Sequence, residues 1–177
     1  MIKRPEKHEA KPGADKEFNL VRYINKSVNF LIFIMKIRKA KEKEIKELCK
    51  IEMSSGYHKK KFNFEPYLQE LFKENTEIFC SEEKETPTGY VTLSKNGEIG
   101  FLAVSKKFQG NGIANMLLKK VISVAKRKGM KKLFLDVRND NLSAIRLYLK
   151  NGFMITKLYK KKINSKEITK LRLEKQL

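Results

Sequence analysis

Cysteine is scarce in this chain of 177 residues, which contains only Cys49 and Cys80. These two show neither the paired spacing of a disulfide framework nor the spacing of a metal site, so no metal is predicted. We interpret both as reduced, buried thiols. Because the N-terminus also lacks a secretory cleavage pattern, the sequence favours a reducing compartment, and a cytoplasmic location is expected.

Long hydrophobic runs are missing as well. The apolar run at residues 28–35 is far too short to span a bilayer, so no membrane partner is expected. Residues 3–17 are charged, contain Pro5 and Pro12, and have almost no apolar period. The sequence therefore predicts an N-terminal extension over residues 1–34, partly disordered, and a single domain over residues 35–177.

Acidic residues are outnumbered two to one, with 20 Asp and Glu against 40 Lys and Arg, for a net charge of +20. Such a charge suits nucleic acid, a ribosome or an anionic cofactor. The lysines are distributed along the chain and not gathered with aromatic residues in one segment. This favours a generally lysine-rich protein, and it leaves nucleic acid or a ribosome as the alternative partner.

The most informative segment is a strand at residues 99–104 followed by a glycine-containing turn, Gln109–Ala114, that opens a helix. Free backbone N–H groups and the helix dipole make such a turn suited to phosphate. Two common phosphate motifs are absent. Asn115 stands where the dinucleotide motif needs its third glycine, and the Gly-Lys-Ser/Thr of a P-loop does not occur.

Apolar periodicity and turn signals predict the remaining elements. Helices are expected at about 41–53, from about 65, at 112–128 and after Asn141, and the Asn96-Gly97 pair predicts a tight turn between two strands. The predicted order is β-α-α-β-β-β-α-β-α-β-β. This is a mixed α/β fold of the α+β kind.

Two motifs in this frame resemble the GNAT superfamily of N-acetyltransferases. Gln109 to Ala114 fit the pattern Gln/Arg-x-x-Gly-x-Gly/Ala. The second pattern is Asn-x-x-Ala-x-x-x-Tyr-x-x-x-Gly-Phe, and it is matched by Asn141, Ala144, Tyr148, Gly152 and Phe153. The resemblance covers about residues 35–175, and its order of elements is the predicted one.

The resemblance implies a transferase that uses acetyl-CoA as donor, with strands four and five splayed apart to admit it. The turn would hold the pyrophosphate, the backbone of strand four would pair with the pantetheine arm, and an N–H near Val104 would polarise the thioester carbonyl. The implied cofactor-binding residues are Leu102, Ala103, Val104, Gln109, Gly110, Asn111, Gly112, Ile113, Ala114, Asn141 and Tyr148. Asn141 is equally a good helix N-cap, and Tyr148 on its own would pass for a core aromatic.

Two catalytic residues follow from the same resemblance. Tyr148 would protonate the departing sulfur, and Glu98, which leads into strand four, would take the proton of the amine. A water relay is the alternative to Glu98, and His58 lies in the loop where the family often admits the acceptor. The predicted activity is direct transfer of acetyl to a primary amine: a protein N-terminus, a lysine or a small amine. A binding module that senses coenzyme A or docks on RNA or a ribosome is the alternative.

Overall fold

The computed structural model describes residues 35–55, 63–74, 76–163 and 166–177. Every described residue belongs to one compact unit, Met35–Leu177. The predicted extension at residues 1–34 and the loop that carries His58 lie outside the described residues, so what was expected of them stays a prediction.

Seven strands and four α-helices make up the described part of the chain, with two short 3-10 turns at Glu42–Glu44 and Lys106–Phe108. The strands are β1 (Lys36–Lys39), β2 (Glu77–Glu83), β3 (Thr86–Leu93), β4 (Leu102–Val104), β5 (Lys132–Arg138), β6 (Met154–Ile163) and β7 (Lys166–Gln176). The helices are α1 (Ile45–Ser54), α2 (Glu65–Lys73), α3 (Ile113–Arg127) and α4 (Leu142–Lys150). The predicted element order is confirmed.

The first sheet is antiparallel and runs in the order β1-β2-β3-β4. Because neighbouring residues of a strand face opposite sides, each strand contributes to two apolar layers. Cys80, Tyr90 and Ala103 pack with α1 and α2 on one side. Phe79 and Val91 pack with α3 on the other. Helices therefore cover both sides of this sheet.

The second sheet is also antiparallel, in the order β5-β7-β6. Its inner side carries the buried residues Leu133, Leu135 and Leu173, which join α3 and Tyr148 of α4 in one apolar cluster. Its opposite side is here called the outer face. The strand register places on it Phe134, Asp136 and Arg138 of β5, Lys170, Arg172 and Glu174 of β7, and Lys157, Tyr159 and Lys161 of β6.

The predicted strand over residues 99–104 is wrong in its first half, because the chain bulges there. Ser94 N–H donates to Glu98 O at 3.0 Å, and Thr92 N–H donates to Phe101 O at 3.0 Å. A step of two residues on β3 is thus matched by three on the facing chain, which is the signature of a β-bulge. Regular pairing starts only at Leu102.

Candidate active site

The site is an opening between the two sheets. Among the described residues, one pair of backbone hydrogen bonds joins them: Ile99 N–H donates to Phe134 O at 2.8 Å, and Phe134 N–H donates to Gly97 O at 3.0 Å. Past this junction β4 and β5 belong to separate sheets, so no ladder joins them. The predicted splay between strands four and five is therefore present.

The exposed edge of β4 presents peptide groups to this opening. Phe101 and Ser105 both bond to β3, through Phe101 O to Thr92 N–H and Ser105 N–H to Thr88 O. In an antiparallel pair the residues that bond to the partner alternate, so Ala103 also faces β3. The N–H and C=O groups of Leu102 and the N–H of Val104 consequently point to the opening, where an extended amide-bearing ligand can pair with them; the C=O of Val104 accepts a bond from Gln109.

Next to this edge, the turn before α3 exposes backbone amides. Gly110 and Gly112 have φ of 80° and 76°, a left-handed conformation that side chains disfavour. The first intrahelical bond is Met116 N–H to Gly112 O at 3.1 Å, and Gly112 provides no side-chain cap. The amides of residues 113–115 are therefore available at the positive end of the helix dipole, which suits a diphosphate.

The Gln109 side chain is engaged in hydrogen bonds within the protein. Its Nε2 donates to Val104 O at 3.0 Å and to Ser55 O at 3.2 Å. Asn111 similarly donates to Phe108 O at 3.2 Å. These bonds hold the turn in shape, so what Gln109 and Asn111 offer to a ligand is their backbone. Their assignment as cofactor-binding residues stays a prediction.

The second motif forms the start and middle of α4. Asn141 Oδ1 accepts from Ala144 N–H at 3.2 Å and from the Ser143 hydroxyl at 3.1 Å, so Asn141 is the N-cap. Tyr148 is buried and meets the Phe153 ring edge-to-face at 5.8 Å. Tyr148 belongs to the same apolar cluster as Val104 and Ile113, the two ends of the predicted donor path.

Glu98 lies at the junction of the sheets and is half-buried. The pKa of Tyr67 is raised, first by burial and then by the charge of Glu98. The pKa of Arg172 is also raised, chiefly by its bond to Asp136 and to a smaller extent by Glu98. The carboxylate of Glu98 thus acts on residues of α2 and of the outer face, on the side of the sheets opposite α3.

Two polar groups near Glu98 were not identified from the sequence. Glu52 is buried and accepts a hydrogen bond from the Tyr90 hydroxyl at 3.1 Å, and burial together with Glu52 raises the pKa of that tyrosine. Its position on the apolar stripe of α1 was the available signal. Asp136 is paired with Arg172 at 2.7 Å, which lowers the pKa of Asp136. Only the register of β5 and β7 brings that pair together.

Comparison with known proteins agrees with this arrangement. Residues 43–153 match the model of the acetyltransferase (GNAT) family. Ard1 from Thermoplasma volcanium is similar in structure, with a TM-score of 0.72 at 24% identity over 81% of this chain and 98% of that one. The ribosomal-protein-S18-alanine N-acetyltransferase from Escherichia coli gives 0.70 at 18% identity, covering 80% and 93%.

A third similar structure, yncA from Salmonella typhimurium with acetyl-CoA, gives a TM-score of 0.67 at 19% identity over 81% of this chain and 94% of that one. Among the described residues, no helix is long and apolar enough to cross a membrane. The splayed strands, the amide-lined turn and the family match lead to one conclusion. The chain belongs to the acetyltransferase (GNAT) family and is an N-acetyltransferase whose donor is acetyl-CoA.

Proposed function

We propose that the protein transfers the acetyl group of acetyl-CoA directly to the amine of a polypeptide, in the first place an N-terminal amine. The observation that carries the proposal is the opening beside β4, which leads from the amides at Gly110–Ala114 past Leu102 and Val104. Two similar structures are named as ribosomal-protein alanine N-acetyltransferases. The net charge of +20 also disfavours a free polycation such as a polyamine.

Donor binding is assigned to backbone groups. The amides of residues 110–114 bind the diphosphate, and the peptide groups of Leu102 and Val104 pair with the pantetheine arm as an added strand would. Asn141, whose side chain also caps α4, contributes to donor binding from the start of that helix. When bound, acetyl-CoA supplies an activated acetyl thioester. An amide near Val104 then stabilises the charge that develops on the carbonyl oxygen.

Proton transfers are assigned to two side chains. Tyr148 donates a proton to the sulfur as it leaves, and Glu98 accepts the proton of the attacking amine, directly or through water. The position of Glu98 supports this role, since it faces the side of the sheets from which the donor turn is absent. An acceptor entering from that side meets the thioester without displacing the donor.

Tyr148→Phe tests the acid role, because the substitution keeps the ring contact with Phe153 and removes only the hydroxyl. We expect turnover to fall by about 10²-fold or more while the Kd for acetyl-CoA, measured by calorimetry, changes little. Unchanged turnover would remove Tyr148 from that role.

Glu98→Gln tests the base. The rate loss should be largest at the low end of the pH range, where the amine is mostly protonated and hydroxide is scarce. A loss that is the same at every pH favours a water relay without a single carboxylate.

The acceptor class is tested with labelled acetyl-CoA and three groups of acceptor: peptides with free N-termini, N-terminally blocked peptides with one lysine, and small amines including polyamines. Peptide N-termini should give the highest kcat/KM. Preference for blocked lysine peptides or for small amines would contradict the proposed acceptor and leave acetyl transfer itself intact.

A further inference from the structure

Charge is divided unequally between the two sheets. Residues 63–98, which include α2, β2 and β3, contain eight acidic and three basic residues. Residues 131–177, which include the whole second sheet, contain thirteen basic and four acidic residues. The first sheet as a whole, residues 36–104, is nearly neutral with thirteen basic and twelve acidic residues, so the excess of positive charge on this part of the chain belongs to the second sheet.

The wall beside Glu98, formed by α1 and α2, presents aromatic rings and several carboxylates. Tyr67 is 44% exposed and meets Phe101 edge-to-face at 5.4 Å. The charges of Glu98, of Glu70 in α2 and of Glu74 just after α2 act on this tyrosine, and Glu52 accepts a bond from Tyr90 on the same side of the sheet. Such a wall attracts a cationic group, and the amine of an acceptor arrives as an ammonium ion.

The facing wall, on the outer face, is basic. Its two carboxylates are already paired, Glu174 with Lys132 and Asp136 with Arg172, whose guanidinium also lies over the Phe134 ring at 5.0 Å. Lys157, Lys161 and Lys170 lie beyond this pair on β6 and β7. Within the residues that the structure describes, these three lysines take part in no ion pair, and Lys157 and Lys161 are exposed.

We propose that the outer face binds acidic side chains of the acceptor polypeptide, downstream of the amine that enters beside Glu98. The inference rests on the proposed function, since it needs a polypeptide acceptor. Lys157, Lys161 and Lys170 provide the positive charge, and Tyr159, between Lys157 and Lys161 on β6, adds a ring for packing. The acceptor is thus a chain with a free amine followed by carboxylates.

Strand geometry sets where those carboxylates fall. The order β5-β7-β6 places β6 two strand spacings, about 10 Å, from β5. An extended peptide advances about 3.3 Å per residue, so it crosses that distance in about three residues. Acidic residues from about the third or fourth position onward therefore meet the lysines of the outer face.

The test compares three peptides that share their first two residues, Ala-Ser, and continue with four Glu, four Gln or four Lys. We expect kcat/KM for the Glu peptide to exceed that for the Gln peptide by about tenfold at low salt. Raising the ionic strength to about 0.5 M should bring the two close together, because exposed charges are screened over a few ångströms there. The Lys peptide should be the poorest acceptor.

Strand alternation offers a matched control. The Lys157→Gln/Lys161→Gln double variant removes two charges from the outer face, while Lys160→Gln/Lys162→Gln removes two charges from the opposite side of the same strand. The outer-face variant should lose most of the preference for the Glu peptide and keep its rate on the Gln peptide. The control variant should keep the preference.

Four outcomes overturn the inference. Equal kcat/KM on all three peptides does so while leaving the proposed function standing. If the two double variants lose the preference for the Glu peptide equally, the inference also fails, because the net charge of the protein and not the outer face would then cause that preference. Binding of a mixed-sequence RNA that only the outer-face variant loses, without peptide preference, assigns the surface to nucleic acid. Acetylation of small amines alone contradicts the proposed acceptor, and the inference with it.

Discussion

Replacing Gly97 with alanine should separate the two sheets where they touch. Gly97 has φ of 88°, and its carbonyl accepts one of the two backbone hydrogen bonds that join β5 to the chain before β4. A Cβ on this residue would lie 2.4 Å from Lys132 O, a backbone atom that no side-chain rotation can move. The substitution must therefore shift the backbone of β5 away from the junction.

The expected cost has two parts. Holding alanine in a left-handed conformation costs about 1–2 kcal/mol. Weakening the two junction hydrogen bonds adds about 1 kcal/mol each. The free energy of unfolding should thus fall by about 3–4 kcal/mol, and a domain of this size loses about 2–4 °C in Tm per kcal/mol. The affinity for acetyl-CoA should fall as well, because this junction sets how far β4 and β5 lie apart along the proposed donor path.

Gly129→Ala is the matched control for Gly97→Ala. Gly129 has a similar φ of 69°, but nothing lies within 4 Å of the position its Cβ would take. The free energy of unfolding of Gly129→Ala should fall only by the cost of the left-handed conformation, about 1–2 kcal/mol, and the variant should keep its acetyl-CoA affinity. Urea unfolding and calorimetry measure the two quantities. Equal stability losses in the two variants, or an unchanged donor affinity in Gly97→Ala, would refute the role given to the junction.

Two further predictions concern stability. Asn141→Ala should lower the free energy of unfolding by about 1 kcal/mol in urea, since it removes the cap on Ala144 N–H, and Asn141→Ser should restore most of it. Arg38 of β1 bonds to Glu44 in the 3-10 turn and to Glu82 of β2, and it lowers the pKa of Glu44 in the folded state. The stability that this depressed pKa contributes is present above the carboxylate's unfolded pKa, near 4.3, and is lost as pH falls through the folded value. Arg38→Gln should therefore destabilise at pH 7 by about 1–3 kcal/mol and flatten the acid limb of a stability-pH curve, and a parallel downward shift at all pH values would contradict this linkage.

The sequence predicts those parts of the fold that are determined by residues close together in the chain. The turn at Gly110 and Gly112 and the N-cap at Asn141 depend on neighbouring residues, and both are present. The bulge before β4 was missed because an apolar run reads as one continuous strand. It arises from pairing with Thr92 and Ser94 on another strand, which no local pattern encodes.

The candidate site divides in the same way. Its backbone parts coincide with motifs, whereas the Tyr90–Glu52 bond joins residues 38 positions apart and the Arg172–Asp136 pair residues 36 apart. Such pairs depend on sheet register and on which side of a helix meets a strand. A single sequence fixes neither, so buried carboxylates of this kind become visible only in three dimensions.

The main-chain character of the donor path has a practical consequence. Replacing Leu102 or Val104 by another β-compatible apolar residue leaves the peptide groups at the edge of β4 where they are. The proposed acceptor contacts, by contrast, are made by side chains of α2, β6 and β7. A library that randomises those exposed positions and keeps the two glycines of the turn should therefore change acceptor preference while acetyl-CoA binding is retained.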